Sequence, residues 1–161
     1  MTAGDWEQVR SIYLEGVRSG NSTFETEAPS WELWNESHLP FARLVMRDGD
    51  KVLGWAALSP VSKRRAYRGV AELTVYVTES ARDQGIGGAL LEAVIDESER
   101  NGIWTLQASI FPENVASGKL HLRCGFREVG RRERISTLNG EWRDTVLFER
   151  RSMTVGSLRT A

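Results

Sequence analysis

Cysteine and histidine are scarce in this chain: Cys124 is the single cysteine, and His38 and His121 are the two histidines. One cysteine cannot form an intrachain disulfide. Because thiols and imidazoles are so few, a Cys-rich or His-rich metal site is disfavoured, and no metal is expected. No stretch approaches the ~20 apolar residues that a transmembrane helix needs. Residues 1–6 lack the basic and apolar segments of a signal peptide. We therefore expect a cytoplasmic protein that does not bind membranes.

An excess of positive charge is also lacking. Lys and Arg total 21 against 22 Asp and Glu, a formal net charge of −1, whereas nucleic-acid binders and binders of anionic membranes normally carry a basic excess. With 40% hydrophobic and 27% charged residues, the composition is that of a globular protein. Repeats, low-complexity tracts and linkers are lacking too, which predicts one domain over residues 1–151 and a frayed C-terminal tail over residues 152–161.

Hydrophobic periodicity predicts a mixed α/β fold in which helices flank a sheet. Helical spacing runs from Trp6 to about Gly20, from a Ser30 cap onward, and over residues 86–100 and 115–123. Strands are predicted over residues 43–47, 52–58, 70–77, 103–109, 126–134 and 142–149. Turns at Asp48-Gly49-Asp50 and Asn139-Gly140 favour two hairpins.

The segment Arg82-Asp83-Gln84-Gly85-Ile86-Gly87-Gly88 lies between a predicted strand and a predicted amphipathic helix. Glycines let the backbone approach a ligand closely, and the start of a helix attracts anions, so this pattern favours a phosphate site. A P-loop is excluded because no Lys-Ser/Thr follows. A dinucleotide fingerprint is excluded because Leu90 stands where Gly or Ala is required.

Arg-x-x-Gly-x-Gly in this context resembles the acetyl-CoA pyrophosphate motif of the GNAT superfamily of N-acetyltransferases. The segments 71–77 (AELTVYV), 112–117 (PENVAS) and 142–144 (WRD) are similar to the branch that acetylates phosphinothricin, methionine sulfoximine and methionine sulfone. The resemblance covers residues 5–150. It implies a twisted, mixed and mostly antiparallel sheet, splayed at the CoA site and flanked by helices. Its usual first strand is short or missing here.

The resemblance also implies where acetyl-CoA binds. The backbone of Val75, Tyr76 and Val77 would bind the pantetheine arm, and the loop that starts at Arg82 would receive the pyrophosphate through its amides. A second CoA contact would come from Asn114 and Ser117. With His121 these two are spaced i, i+3, i+7, which places all three on one helix face. The residues implied for the pyrophosphate are Arg82, Asp83, Gln84, Gly85, Ile86, Gly87 and Gly88.

Two side chains are candidates for catalysis, Glu72 as a general base and His121 as a general acid. Amine acetylation needs a neutral amine and a proton for the departing thiolate, which is general acid–base work. The branch has a carboxylate and a histidine at these two places. The alternatives are a solvent-facing strand residue for Glu72 and a partly buried core histidine for His121.

For the acceptor, the resemblance implies a small amino-acid-like molecule whose carboxylate is bound by Arg64 and Arg65. Tyr67 and Phe24 would complete that site, although arginines in a loop are also typical of solvated surface. Cys124 is the only thiol, so direct transfer in a ternary complex is expected. The resemblance further implies a homodimer and a role in detoxification. Two alternatives stay open: another acceptor (a polyamine, an aminoglycoside or a protein N-terminus), or a non-catalytic CoA-binding sensor.

Overall fold

The computed structural model describes residues 1–157 and shows four α-helices against one sheet of six strands. A short 3₁₀ turn, Ala3–Asp5, precedes the first helix. Among the described residues no strand comes before that helix, as expected from the departure from the family pattern. The helices are α1 (Trp6–Ser19), α2 (Trp31–Ser37), α3 (Ile86–Arg100) and α4 (Val115–Arg123).

The predicted helix ends are confirmed. Gly20, Gly102 and Gly125 take positive φ after α1, α3 and α4, a conformation that glycine adopts without a steric penalty. At the start of α2, the side chain of Ser30 accepts a hydrogen bond from the Leu33 amide, which satisfies one of the free N–H groups of the first turn.

The sheet is mixed and mostly antiparallel, as predicted, with the strand order β1-β2-β3-β4-β6-β5. Only β3 and β4 run parallel. The strands are β1 (Leu44–Asp48), β2 (Lys51–Pro60), β3 (Val70–Val77), β4 (Thr105–Ile110), β5 (Arg127–Leu138) and β6 (Glu141–Arg151).

The parallel pair is short. Ladder pairing between β3 and β4 covers Val70 to Glu72 against Thr105 to Gln107, although β3 continues to Val77 and β4 to Ile110. Beyond Glu72 and Gln107 the two strands separate. The sheet is therefore splayed at its centre, as the resemblance implied.

Each face of the sheet carries its own apolar cluster. On one face, α3 and α4 cover alternate residues of β3, including Leu73, Val75 and Val77. On the other, α1 and α2 cover a cluster that includes Trp55 and Tyr76. Because side chains alternate along a strand, Glu72 and Thr74 share the α1/α2 face with Tyr76.

Two predictions about the C-terminal third need correction. The hairpin turn at Asn139-Gly140 is confirmed, with φ of 51° and 83°, but β5 runs four residues further than predicted. The described part of the predicted frayed tail, residues 152–157, is hydrogen-bonded to the domain: the buried Ser152 donates its amide to Trp104 O at 2.8 Å, and Arg151 donates to Val155 O at 2.7 Å. Residues 158–161 lie outside the described residues.

Candidate active site

A cavity of about 920 Å³ occupies the splay between β3 and β4. Its walls come from β3, the start of α3, the end of β4, the start of α4 and the segment that joins α1 to α2. Because the strands part here, the cavity is lined by residues from both faces of the sheet. Glu72 lines it from the α1/α2 face, and His121 lines it from the α3/α4 face. The structure thus brings the two catalytic candidates to one cavity.

The glycine-rich loop forms one end of this cavity. Asp83 and Gly85 both take left-handed conformations, with φ of 62° and 79°, and α3 begins at the next residue. The first intrahelical bond runs from the Ala89 amide to Gly85 O at 3.1 Å, so the amides of residues 86–88 precede it and are free for a ligand. A row of such amides at a helix start suits a phosphate group.

A carboxylate of α1, which the sequence analysis did not single out, holds the start of this loop. Glu15 accepts hydrogen bonds from the Thr78 hydroxyl at 3.0 and 3.1 Å and from the Glu79 amide at 2.7 Å. Thr78 follows the last residue of β3 and Glu79 opens the 3₁₀ turn Glu79–Ala81. Helix α1 therefore fixes the point at which the chain leaves the sheet for the loop.

Glu72 is half-buried in the centre of the sheet. It lies opposite Ser59 of β2 and Gln107 of β4, at the last residue pair before the splay. Tyr76 lines the same cavity, but its ring stacks on Trp55 at 5.0 Å. Burial raises the pKa of Tyr76 far above its ordinary value, so its hydroxyl stays protonated. Glu72 is the carboxylate that β3 presents to the cavity.

His121 is 2% exposed and lies against Phe126 and Phe148, at ring distances of 5.0 and 6.3 Å. Its Nδ1 lies 2.8 Å from Ser117 O. A carbonyl oxygen only accepts, so Nδ1 carries the hydrogen and Nε2 of the neutral ring has a free lone pair. Nε2 has no hydrogen-bond partner among the described residues. Burial lowers the pKa of His121, so the resting imidazole is neutral and holds no proton at Nε2 to donate.

The second histidine, His38, also lines the cavity, although the sequence gave it no partner. Its ring stacks on Trp34 at 4.1 Å, and Nδ1 lies 2.7 Å from Trp34 O. Burial lowers its pKa, as it does for His121. The i, i+4 spacing of Trp34 and His38 was the signal that could have revealed this contact.

The two histidines should make stability depend on pH. Both have folded pKa values below the ordinary 6.5, so the unfolded chain binds more protons as pH falls through 6.5, and the free energy of unfolding decreases until the folded pKa is passed. Each histidine should lower the free energy of unfolding by at most about 1.4 kcal/mol at pH 5.5, and should have no effect above pH 7.5. Urea unfolding of wild type, His121→Gln and His38→Gln at both pH values measures this. If His121→Gln keeps the full wild-type difference, His121 does not contribute.

The segment between α1 and α2 closes one side of the cavity through polar contacts from α4 and β6. Asn114 caps α4 by accepting from the Ser117 amide at 3.2 Å, and it donates to Asn21 O at 3.1 Å. Arg143 donates to Gly20 O at 3.0 Å and to Asn21 Oδ1 at 3.1 Å. Both of these contacts hold the segment in place.

Arg143 was missed as a site residue by the sequence analysis, which used it only as part of a matching motif. Its guanidinium lies 4.3 Å from the centre of the Phe111 ring. Phe111 packs edge-on against Phe24 at 4.8 Å, and Phe24 lines the cavity as predicted. Arg143 thus supports the ring of Phe24 through Phe111.

The predicted acceptor arginines do not line this cavity. Arg64, Arg65 and Tyr67 are exposed on the loop before β3, and the Arg64 guanidinium lies 5.4 Å from the centre of the Tyr67 ring. In this structure the loop turns these cations towards solvent, and their role in binding the acceptor stays a prediction. Gln84 is likewise exposed outside the cavity wall, and its side chain donates to Ser80 O at 3.3 Å. The other predicted CoA residues, including Asn114 and Ser117, line the cavity.

A phosphate-binding helix start that opens into a gap in a mixed sheet is the arrangement expected of an acyl-CoA-dependent transferase. Comparison with protein families agrees: the model of the acetyltransferase (GNAT) family matches residues 6–126. The chain belongs to this family. It is an acetyl-CoA-dependent N-acetyltransferase. None of the described helices is long and apolar enough to span a membrane.

Curated relatives place the chain within the family. It is 32% identical over 154 residues to the phosphinothricin N-acetyltransferase of Streptomyces coelicolor, covering 91% of this chain and 90% of the relative. It is 29% identical over 161 residues to the L-methionine sulfoximine/L-methionine sulfone acetyltransferase of Pseudomonas paraeruginosa, covering 90% and 88%. The similarity is therefore to the phosphinothricin and methionine sulfoximine acetyltransferase branch.

The fold of this branch is found again in a solved structure. The phosphinothricin acetyltransferase of Sinorhizobium meliloti, crystallised with acetyl-CoA, superimposes with a TM-score of 0.86 at 29% identity. The match covers 94% of this chain and 85% of that one.

Proposed function

We propose that this enzyme transfers the acetyl group of acetyl-CoA to the α-amine of a small amino acid or analogue, such as L-methionine sulfoximine, L-methionine sulfone or phosphinothricin. The observation that carries the proposal is the cavity through the splayed sheet, with a carboxylate on one face and a phosphate-binding loop at its end. The relatives named above support the acceptor class.

Acetyl-CoA would enter from the α3/α4 side. The free amides at the start of α3 would receive its pyrophosphate, with Arg82 beside them as a cation. The backbone of Val75, Tyr76 and Val77 lies beyond the last β3–β4 ladder pair, so it is free to bind the pantetheine arm. Ser117 and Asn114 would line the path towards the thioester, with Asn114 acting mainly through the segment it holds.

In the proposed reaction the amine attacks the thioester directly. Glu72 takes the first proton from the ammonium group, either in contact or through a water molecule. After attack the nitrogen carries two protons. One of them passes to the free Nε2 lone pair of His121 and from there to the thiolate that leaves as the C–S bond breaks, and the other stays on the amide product. This order follows from the neutral ring, and it makes His121 accept a proton before it donates one.

An acetyl-enzyme intermediate on cysteine is not supported, because the cavity walls hold no thiol among the residues that the structure describes. Cys124 lies at the end of α4 and does not line the cavity. Burial raises the pKa of its thiol, which lowers the population of the nucleophilic thiolate. Both observations support direct transfer in a ternary complex. We also propose a cytoplasmic homodimer that detoxifies such analogues, in line with the family resemblance.

Thiol release from acetyl-CoA, measured across six acceptors, tests the proposal. The panel holds L-methionine sulfoximine, L-methionine sulfone, phosphinothricin, spermidine, an aminoglycoside and a short peptide. We expect saturable release confined to the first three. Turnover of spermidine, the aminoglycoside or the peptide alone would favour the alternative acceptors. Binding of CoA by calorimetry without any thiol release would favour the sensor.

A further inference from the structure

Arg132 on β5 differs from its neighbours in how its charge is balanced. Arg127 and Arg131 of the same strand each form an ion pair with a carboxylate of β6, Glu149 and Asp144 respectively. Among residues 1–157, Arg132 has no such ion pair. A cation that is held in place without a carboxylate partner is available to bind an anionic ligand.

The side chain of Arg132 reaches across the sheet towards the cavity. Arg132 lies opposite Thr145 on β6, yet its Nη2 donates to Ser109 Oγ on β4 at 2.6 Å. Since β6 separates β5 from β4, the guanidinium must pass over β6 to make this contact. Arg132 is exposed and does not itself line the cavity, but Ser109 does, so the hydrogen bond to Ser109 brings the Arg132 guanidinium to the outer edge of the cavity wall.

Thr145 supplies a second polar group at the same place. It is 3% exposed, it lines the cavity, and its Oγ1 has no hydrogen-bond partner among the described residues. Leaving a buried hydroxyl without a partner costs free energy in the folded protein. Such a group inside a cavity points to a ligand that completes its hydrogen bonding.

These three residues share a face with Glu72. Ser109 lies two residues beyond Gln107, the β4 partner of Glu72, and alternation therefore places Ser109 on the α1/α2 face. In a paired sheet the strand rise and strand spacing would place Ser109 and Glu72 roughly 8 Å apart, and the separation of β3 from β4 beyond Gln107 lengthens this distance. One amino acid spans roughly 8 Å when its amine and its carboxylate each make a hydrogen bond of about 2.9 Å.

We propose that Arg132, Ser109 and Thr145 form the subsite that binds the carboxylate of the acceptor. This rests on the proposed function, and it assigns to Arg132 the role that the sequence suggested for Arg64 and Arg65. Ser109 accepts from Arg132, so its own hydroxyl proton is free to donate, as is that of Thr145. The carboxylate thus receives one charged and two neutral donors while the amine lies at Glu72.

The kinetics of Arg132→Met with L-methionine sulfone and with its methyl ester test the subsite. Loss of a charge-assisted contact should raise KM for the acid about 10- to 100-fold and leave KM for the ester unchanged, because the ester carries no anion. Arg131→Met, which breaks an ion pair on the same strand, is the matched control and should leave both unchanged. An unchanged KM for the acid, or an equal rise for acid and ester, would overturn the proposal.

Thr145→Val gives a readout that does not depend on charge. Removing a buried hydroxyl that has no partner should raise Tm by about 2–4 °C, while KM for L-methionine sulfone rises. A variant that is stabilised but keeps the wild-type KM would remove Thr145 from the subsite.

Failure of the proposed function would be visible in the wild type, as no thiol release with any of the amino-acid analogues. In that case the subsite is tested by calorimetric titration, which measures the binding of L-methionine sulfone to CoA-loaded wild type and to CoA-loaded Arg132→Met. Binding that Arg132→Met loses supports the subsite. Equal binding by both proteins, or none by the wild type, overturns it.

Discussion

Glu72→Gln is expected to lower kcat by about 10²–10⁴-fold, the range for loss of a general base. Glutamine keeps the size of the side chain at the centre of the sheet but cannot take the ammonium proton. KM for acetyl-CoA should not change, because the loop at the start of α3 is untouched. Steady-state thiol release, with L-methionine sulfone as acceptor, measures both quantities.

The pH profile separates a proton-accepting role of Glu72 from a structural one. In Glu72→Gln the rate should rise steadily with pH, as more of the amine loses its proton in solution, whereas the wild-type rate should depend less on pH because Glu72 removes this proton within the cavity. Glu128→Gln, which changes an exposed carboxylate on β5, is the matched control and should behave as wild type. A rate for Glu72→Gln within about threefold of wild type at pH 7 would refute the assignment.

The same substitution, Gly→Ala, is expected to have opposite effects on α1 and on α4. At Gly16 a Cβ would overlap Cε1 of Tyr76 and lie 2.8 Å from its Cδ1. Tyr76 is held between Trp55 and Tyr13, so its ring cannot move away easily. Overpacking of this kind costs about 1–3 kcal/mol, and Gly16→Ala should lower Tm by several degrees.

At Gly118 a Cβ would meet Phe148 Cζ at 3.6 Å, an ordinary contact. Alanine is favoured over glycine in a helix by about 1 kcal/mol, so Gly118→Ala should raise Tm by about 2–4 °C. Calorimetric measurement of Tm for wild type and both variants tests these two predictions. A rise for Gly16→Ala would show that α1 can shift away from β3, and a fall for Gly118→Ala would show that α4 needs the freedom of glycine.

Most of the fold was predictable because the signals are local. Helix boundaries followed from Ser30 and from the glycines after each helix, and strand faces followed from alternation in residues 70–77. Strand β5 was predicted too short because its pattern lacks alternation: it is exposed along most of its length, and Arg134 takes a φ of 46° where the pairing with β6 shifts register. Exposed, irregular strands leave little trace in hydrophobic periodicity.

The candidate site was also predictable only where its residues carry a local signal. Glu72, His121 and the glycine-rich loop could be predicted as candidates because a contiguous motif or a helical spacing marks each of them, and the structure places them at one cavity. Arg132 carries no sequence signal of a binding site, since only the strand order β4-β6-β5 brings it to Ser109. Thr145 carries no local signal, and Arg64 and Arg65 were predicted from the family resemblance alone. Contacts made across strands depend on tertiary register, which residue patterns do not contain.

The short ladder between β3 and β4 has a consequence for chain entropy. Each outer pair, β1–β2 and β5–β6, is a hairpin closed by a tight turn, whereas joining β3 to β4 requires closing the much longer loop that contains α3. Closing this loop costs the unfolded chain more conformational entropy than closing either hairpin, and only three ladder pairs offset that cost. The buried apolar cluster that contains residues of α3, β3, β4 and β6 must therefore supply most of the free energy that holds the two halves of the sheet together. The opening that accommodates the reaction thus lies where the polypeptide has the least backbone pairing to lose.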